Sequence, residues 1–382
     1  MATFFLILIY LAFISLGLPD SLLGSAWPAM GPALGAPLSG AGAVSLIITG
    51  GTIVSSLLSG RLIRKLGTGK LTCISVAMTA GALLGFSLAP SFGWLCLLAV
   101  PLGLGAGAVD AGLNQYVAVH YASRHMNWLH CCWGVGATMG PLILSACLSG
   151  GGGWRQGYLV ISVIQWTLTV VLLFSLPQWK RERAAEEAKQ VDAGQVRPLA
   201  LPGAKSALVC FLFYCAMEST TGLWGSSYLT GARGVPAERA AGWISLFYLG
   251  ITAGRLLAGF ATRRWDNKTL IRLGTALCGG GVLLLLLPLP AWTAPAAFAL
   301  LGLGCAPIYP AMLHETPNRF GETASQAMMG VQMACAYVGN LTVPPAFGLL
   351  AGWVGAGALP VCLLLVLAGL VLCSERVNRI LG

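Results

Sequence analysis

The chain has 382 residues, 57% of them hydrophobic and only 9% charged, with a mean hydropathy of +0.80. A soluble domain of this length needs more polar surface than that, so a soluble enzyme or binding domain is excluded. The net charge of +10 lies in short connectors between apolar runs, where membrane topology explains it better than a nucleic-acid surface does.

The apolar runs are about 20 residues long, the length of a membrane-crossing helix, whereas a barrel would alternate in segments of about 10. Twelve spans are expected, near 3–30, 41–63, 70–90, 93–118, 129–149, 156–176, 203–230, 238–260, 267–288, 292–313, 324–350 and 357–379. The first lacks a basic leader and continues past the length of a signal-peptide core, so it reads as a retained helix. It carries Asp20, within LGLPDSLLGSAWP. The second ends in GRLIRKLGTGK at 60–70, and the fourth carries Asp110 within LGLGAGAVDAGLN. GGGG at 150–153 precedes no Lys-Ser/Thr, so it is not a phosphate loop. QWKRERAAEEAKQVDAGQVRPLALPG at 178–203 is the one long polar stretch, a solvated linker with room for a short helix in RERAAEEAK. The seventh span carries Glu218, followed by Ser219, Thr220 and Thr221.

Placing the N-terminus in the cytoplasm puts 19 Lys and Arg residues on that side and 3 on the other. This bias orients both termini and the linker inward. An offset of 199 residues superposes Leu102–Asn114 on Leu301–Leu313, and Gly60 with Arg64 and Lys65 on Gly259 with Arg263 and Arg264. Two separate segments that share one offset indicate duplicated halves. The expected fold class is therefore all-α and membrane-embedded, with twelve transmembrane helices in two six-helix bundles. The bundles are 1–177 and 203–382, joined by a cytoplasmic linker at 178–202.

An ionisable side chain inside a membrane helix is expensive and marks a functional site by default. Asp20, Asp110 and Glu218 are the candidate proton-coupling residues. Asp110 and Asn114 are four apart and share a helix face. A carboxyl in a low-dielectric cavity favours its neutral form, and ligand binding can change that balance. A polar solute in such a cavity calls for amide, carboxylate or imidazole partners, and its apolar faces call for aromatic rings. Asn114, Asn127, His130, Gln332 and Asn340 are the candidate polar partners, and Trp27, Trp128, Trp133, Trp224 and Tyr248 the candidate rings. Gly136/Gly140 and Gly250/Gly254 read as close helix packing. The twelve cysteines have no CxxC or Cys/His spacing, so they read as small buried hydrophobes, and no metal or cofactor is expected. No nucleophile elbow or nucleotide-binding loop is present, so enzymatic activity is not expected.

The 6 + 6 arrangement resembles the major facilitator superfamily. GRLIRKLGTGK resembles that superfamily's G-x-x-x-D-R-x-G-R-R signature, with Arg64 where the signature has Asp. The resemblance implies a gating role for Gly60, Arg64, Lys65 and Gly67, with Gly60 allowing close helix contact and Gly67 a tight turn. LGLPDSLLGSAWP and GAGAVDAGLNQYVAVHYASRHMNWLHCCWGVGATMGP resemble the fucose/galactose/glucose:proton symporter family. On that resemblance Asp20 and Asp110 fall on the coupling and sugar-binding acids, Asp110 standing where the family has glutamate. Asn114 and Asn127 match family asparagines, His130 stands for a glutamine and Trp133 for an asparagine. The resemblance implies proton-coupled uptake of a hexose or 6-deoxyhexose by a monomer in a bacterial inner membrane, with the lipid bilayer as its other partner. Sodium coupling stays open, as does a proton-driven exporter of amphipathic compounds. A sensor or scaffold without transport is the third reading.

Overall fold

The protein is described here by a computed structural model covering residues 2–121, 123–179, 198–262 and 264–381. The expected helix in RERAAEEAK and most of the 178–202 linker lie outside the described residues.

Among the described residues the structure is helical and has no strand. Its fourteen α-helices are α1 (Ala2–Asp20), α2 (Leu22–Ala33), α3 (Gly40–Leu66), α4 (Thr68–Ser87), α5 (Phe92–His120), α6 (Ser123–Ser149) and α7 (Gly153–Trp179), followed by α8 (Ala204–Arg233), α9 (Ala237–Ala261), α10 (Asn267–Leu286), α11 (Ala294–His314), α12 (Thr316–Phe320), α13 (Glu322–Val354) and α14 (Leu359–Leu381). They supply twelve stretches long and apolar enough to cross a bilayer. The expected spans agree to within a few residues: 41–63 corresponds to Gly40–Leu66 and 324–350 to Met328–Val354.

Two spans differ in detail. The first is two helices, α1 and α2, broken at Ser21 just after Pro19 and Asp20. The tenth continues past His314 into the five-residue α12.

The chain divides into two compact units. One is Met1–Gln190 with Ala237–Ser245, and the other is Val191–Pro236 with Leu246–Gly382. In the first unit α3 packs on α5, α4 on α7 and α5, and α1 on α6. In the second, α10 packs on α11, and α8 on α13 and α14.

Lipid tails are as apolar as Leu, so bilayer helices associate through close packing rather than hydrophobic exclusion. Glycine makes that packing close here. A Cβ on Gly103 of α5 would overlap the Ile48 carbonyl oxygen of α3, and one on Gly302 of α11 would overlap the Phe247 carbonyl oxygen of α9. Gly105 abuts Ser75 O of α4 in the same way that Gly304 abuts Gly274 O of α10. Each of these four correspondences is 199 residues, so the repeat is a repeat of contacts as well as of letters. Gly136 and Gly140 pack on Ile14 O and Leu18 O, and Gly250 and Gly254 on α11, as their spacing predicts.

Candidate functional site

The 60–67 segment has the turn its sequence predicts but lacks the predicted close contact. Gly67 separates α3 from α4 at φ 79°, a region that favours glycine. Among the described residues Gly60 abuts no neighbouring helix: a Cβ there would meet Arg64 Nη1, at 3.8 Å. Arg64 and Lys65 are exposed in the last turn of α3, where cations complement the helix dipole.

The first unit gathers the strongest sequence candidates onto α1, α5 and α6. Trp133 Nε1–H donates to Asp20 Oδ2 at 2.7 Å, tying the end of α1 to α6. Asp20 does not cap the next helix: the N-cap position of α2 is Ser21, with no side-chain capping bond. Asp20 is exposed at the break. A carboxylate at this depth is tolerated when it faces a polar cavity. On α5, Asn114 Nδ2–H donates to Asp110 Oδ1 at 2.9 Å, as the spacing of four requires. Among the described residues the Asn114 Oδ1 atom, which is buried, has no hydrogen-bond partner. His130 on α6 is half-buried, with its ring edge-on to Phe13 at 6.0 Å. The Asn127 side chain lies outside the described residues.

The second unit holds a different cluster. Tyr214 OH donates to Glu218 Oε2 one turn along α8. Arg255 Nη2 of α9 faces Glu218 Oε1 at 4.0 Å. Tyr309 of α11 packs on Tyr214 and Phe211 at 5.7 and 5.4 Å between ring centroids. Glu218 therefore faces a cation, Arg255, that no sequence motif singles out.

The remaining candidates have other recorded contacts. Trp224 is fully buried, donates from Nε1 to Pro344 O at 2.9 Å and packs edge-on to Phe347, so it serves the α8–α13 contact. Trp27 is a buried packing residue against Phe92 and Gly40. Trp128 is exposed, with its ring edge-on to His125, and Tyr248 is buried beside Gly222 and Phe247. Gln332 accepts from Thr316 Oγ1 at 2.9 Å, next to Arg319 and Ser374, near the α12 end of its bundle. Asn340 is half-buried farther along α13.

The family profile described as Major Facilitator Superfamily matches residues 9–293 and 206–379. The chain belongs to the Major Facilitator Superfamily. It is an integral membrane transporter built on twelve apolar helices. This superfamily member is 26% identical over 326 residues to the uncharacterized transporter y4wD of Sinorhizobium fredii (strain NBRC 101917 / NGR234), covering 81% of each chain. It is 25% identical over 226 residues to the glucose/mannose transporter GlcP of Bacillus subtilis (strain 168), covering 56% of this chain and 55% of GlcP. Among solved structures, the nucleoside transporter NupG superposes with a TM-score of 0.76 at 15% identity, over 97% of this chain and 98% of that one. A bacterial homolog of the human lysosomal transporter Spinster gives 0.75 at 13% identity, over 99% and 97%. At these identities the two structures show a shared fold and leave the cargo of this superfamily member to its own residues.

Proposed function

We propose that this transporter is a proton-coupled symporter of a hexose or 6-deoxyhexose, with the proton carried by Asp110 and Asp20. The reading rests most on the buried Asn114 amide oxygen without a partner, one helical turn from Asp110. A buried polar atom left unsatisfied costs about 1–3 kcal/mol, so it calls for an occupant that donates a hydrogen bond. A sugar hydroxyl does so. The glucose/mannose transporter relative supports the same class of cargo.

Coupling follows from a shared group. Asn114 spends its N–H on the Asp110 carboxylate. When Asp110 takes a proton, its carboxyl gains a donor and weakens as an acceptor. The Asn114 amide is then released toward the solute, and solute and proton favour the same state. Such a preference is what lets two ligands move together. His130 and Trp133 line the same α1–α6 seam. Trp133 holds Asp20, while His130 offers an imidazole to a hydroxyl. In this reading the protein works as a monomer with both termini in the cytoplasm of a bacterial inner membrane, and the 60–67 segment takes part in gating.

Uptake into proteoliposomes tests the proposal, with a panel of hexoses and 6-deoxyhexoses and with pH and sodium gradients imposed separately. Accumulation that follows the pH gradient supports it. Accumulation that follows only sodium moves the coupling ion. Silence across the panel, with binding of hydrophobic cations, replaces the reading with an exporter.

A further inference from the structure

The 199-residue repeat relates the two clusters only in part: Glu218, Arg255 and Tyr214 fall on Pro19, Ser56 and Ser15. Asp110 falls on Tyr309, and Asp20 falls on Ser219, beside Glu218. The two clusters carry different chemistry. The first unit pairs two acids with an amide and an indole donor. In the second, one acid faces a guanidinium and accepts from a phenol.

We propose that Glu218, Arg255 and Tyr214 form a second subsite for solute hydroxyls, and that Glu218 is a recognition residue rather than a proton carrier. The inference deepens the sugar-symport reading and rests on it. At 4.0 Å the gap from Arg255 Nη2 to Glu218 Oε1 exceeds hydrogen-bond reach, about 3.2 Å. The charges hold the two groups facing each other, and a hydroxyl fits the gap chemically: its O–H donates to the carboxylate while its oxygen accepts from the guanidinium. The oxygen that faces the guanidinium is Glu218 Oε1, so one solute hydroxyl bridges that atom and Arg255. Both side chains retain accessible surface, 16% for Arg255 and 20% for Glu218. Tyr214 occupies the other carboxylate oxygen and is held by Phe211 and Tyr309, so Glu218 is oriented before solute arrives. The Glu218–Arg255 pair is formally neutral, so hydroxyl binding there needs no proton. The other titratable groups facing Glu218 are Cys215 on its own helix and Cys305 on α11.

The test is a kinetic split in proteoliposomes, using whichever of D-glucose, D-mannose and L-fucose the wild type takes up. Tyr214→Phe removes one donor. The double change E218Q/R255Q removes both charges together and strands neither. The subsite predicts that KM rises at least tenfold in both variants, with the pH midpoint of uptake where the wild type has it. A KM within twofold of wild type in both variants overturns it. So does loss of gradient-driven accumulation in the double variant with KM retained, since that makes Glu218 a proton carrier. Wild-type protein that takes up none of the three sugars overturns the sugar reading and the subsite together.

Discussion

A carboxylate inside a bilayer depends on the few donors that reach it. Trp133 supplies one to Asp20 and Asn114 supplies one to Asp110, at 2.7 and 2.9 Å. A hydrogen bond to a charged group is worth roughly 1.5–3 kcal/mol. Trp133→Phe keeps most of the ring volume and removes the N–H. It should lower kcat/KM for gradient-driven uptake by about ten- to a hundredfold, since about 1.4 kcal/mol is a factor of ten. Initial-rate uptake measures this, and an unchanged value would mean that the indole serves only packing. Arg255 gives a prediction about stability. Arg255→Gln leaves Glu218 facing no charge, and breaking a buried pair costs about 3–5 kcal/mol. The partial exposure of both partners lowers that cost. The melting temperature in detergent should fall in the single variant and recover in E218Q/R255Q. Equal melting in the two would show that the 4.0 Å pair contributes nothing to stability.

Single residues were legible in the sequence where one fact decides them. An acid at membrane depth is conspicuous, and so is a spacing of four on one helix. Arg255 was not, because it lies six residues before the end of α9, where a cation reads equally well as a connector charge. Trp224 and Trp27 were unreadable for another reason. Whether a ring faces a cavity or another helix depends on Phe347, Pro344, Phe92 and Gly40, which are distant in sequence.

Helices here are held by backbone contacts that forbid a side chain. Gly103→Val and Gly302→Val drive carbons into the Ile48 and Phe247 carbonyls. Overpacking of this kind typically costs about 1–3 kcal/mol. Both variants should melt lower, and by similar amounts, because the contacts are repeats of each other. Gly50→Ala is the control. Apart from its own helix backbone, no described heavy atom lies within 4 Å of a Cβ there, so melting should hold or rise, as alanine is the better helix former. The N-terminus of α10 depends on Asp266, whose side chain accepts from the Thr269 N–H. This fully exposed carboxyl is held below its ordinary value of 3.8, first by the hydrogen bond to Thr269 and less by nearby Lys268. A lowered folded value means that the cap stabilises above the unfolded value and is lost as pH falls through the lowered one. The melting difference between wild type and Asp266→Ala should therefore be present at pH 7 and vanish on acidification below the carboxylate range. A constant difference would contradict the cap.

At the scale of the molecule, the twelve spans were readable because hydropathy sums over about 20 residues and tolerates local error. The short α12 escaped that sum. It is five residues long, yet its Thr316 takes the Gln332 side-chain oxygen and fixes where that candidate sits. Duplication was visible as letters at one offset, and the structure adds matched backbone contacts. What the repeat does not conserve is charge. One unit offers two acids, each bonded to a neutral donor, and the other an acid with a cation, which separates proton handling from solute recognition in this account.

The most direct test of proton coupling through Asp110 is Asp110→Asn in proteoliposomes, assayed for pH-driven accumulation and for exchange of solute at equal pH. The account predicts that accumulation disappears while exchange continues, because an amide keeps hydrogen-bonding capacity beside Asn114 but cannot release a proton. Accumulation that still follows the pH gradient in Asp110→Asn would contradict it.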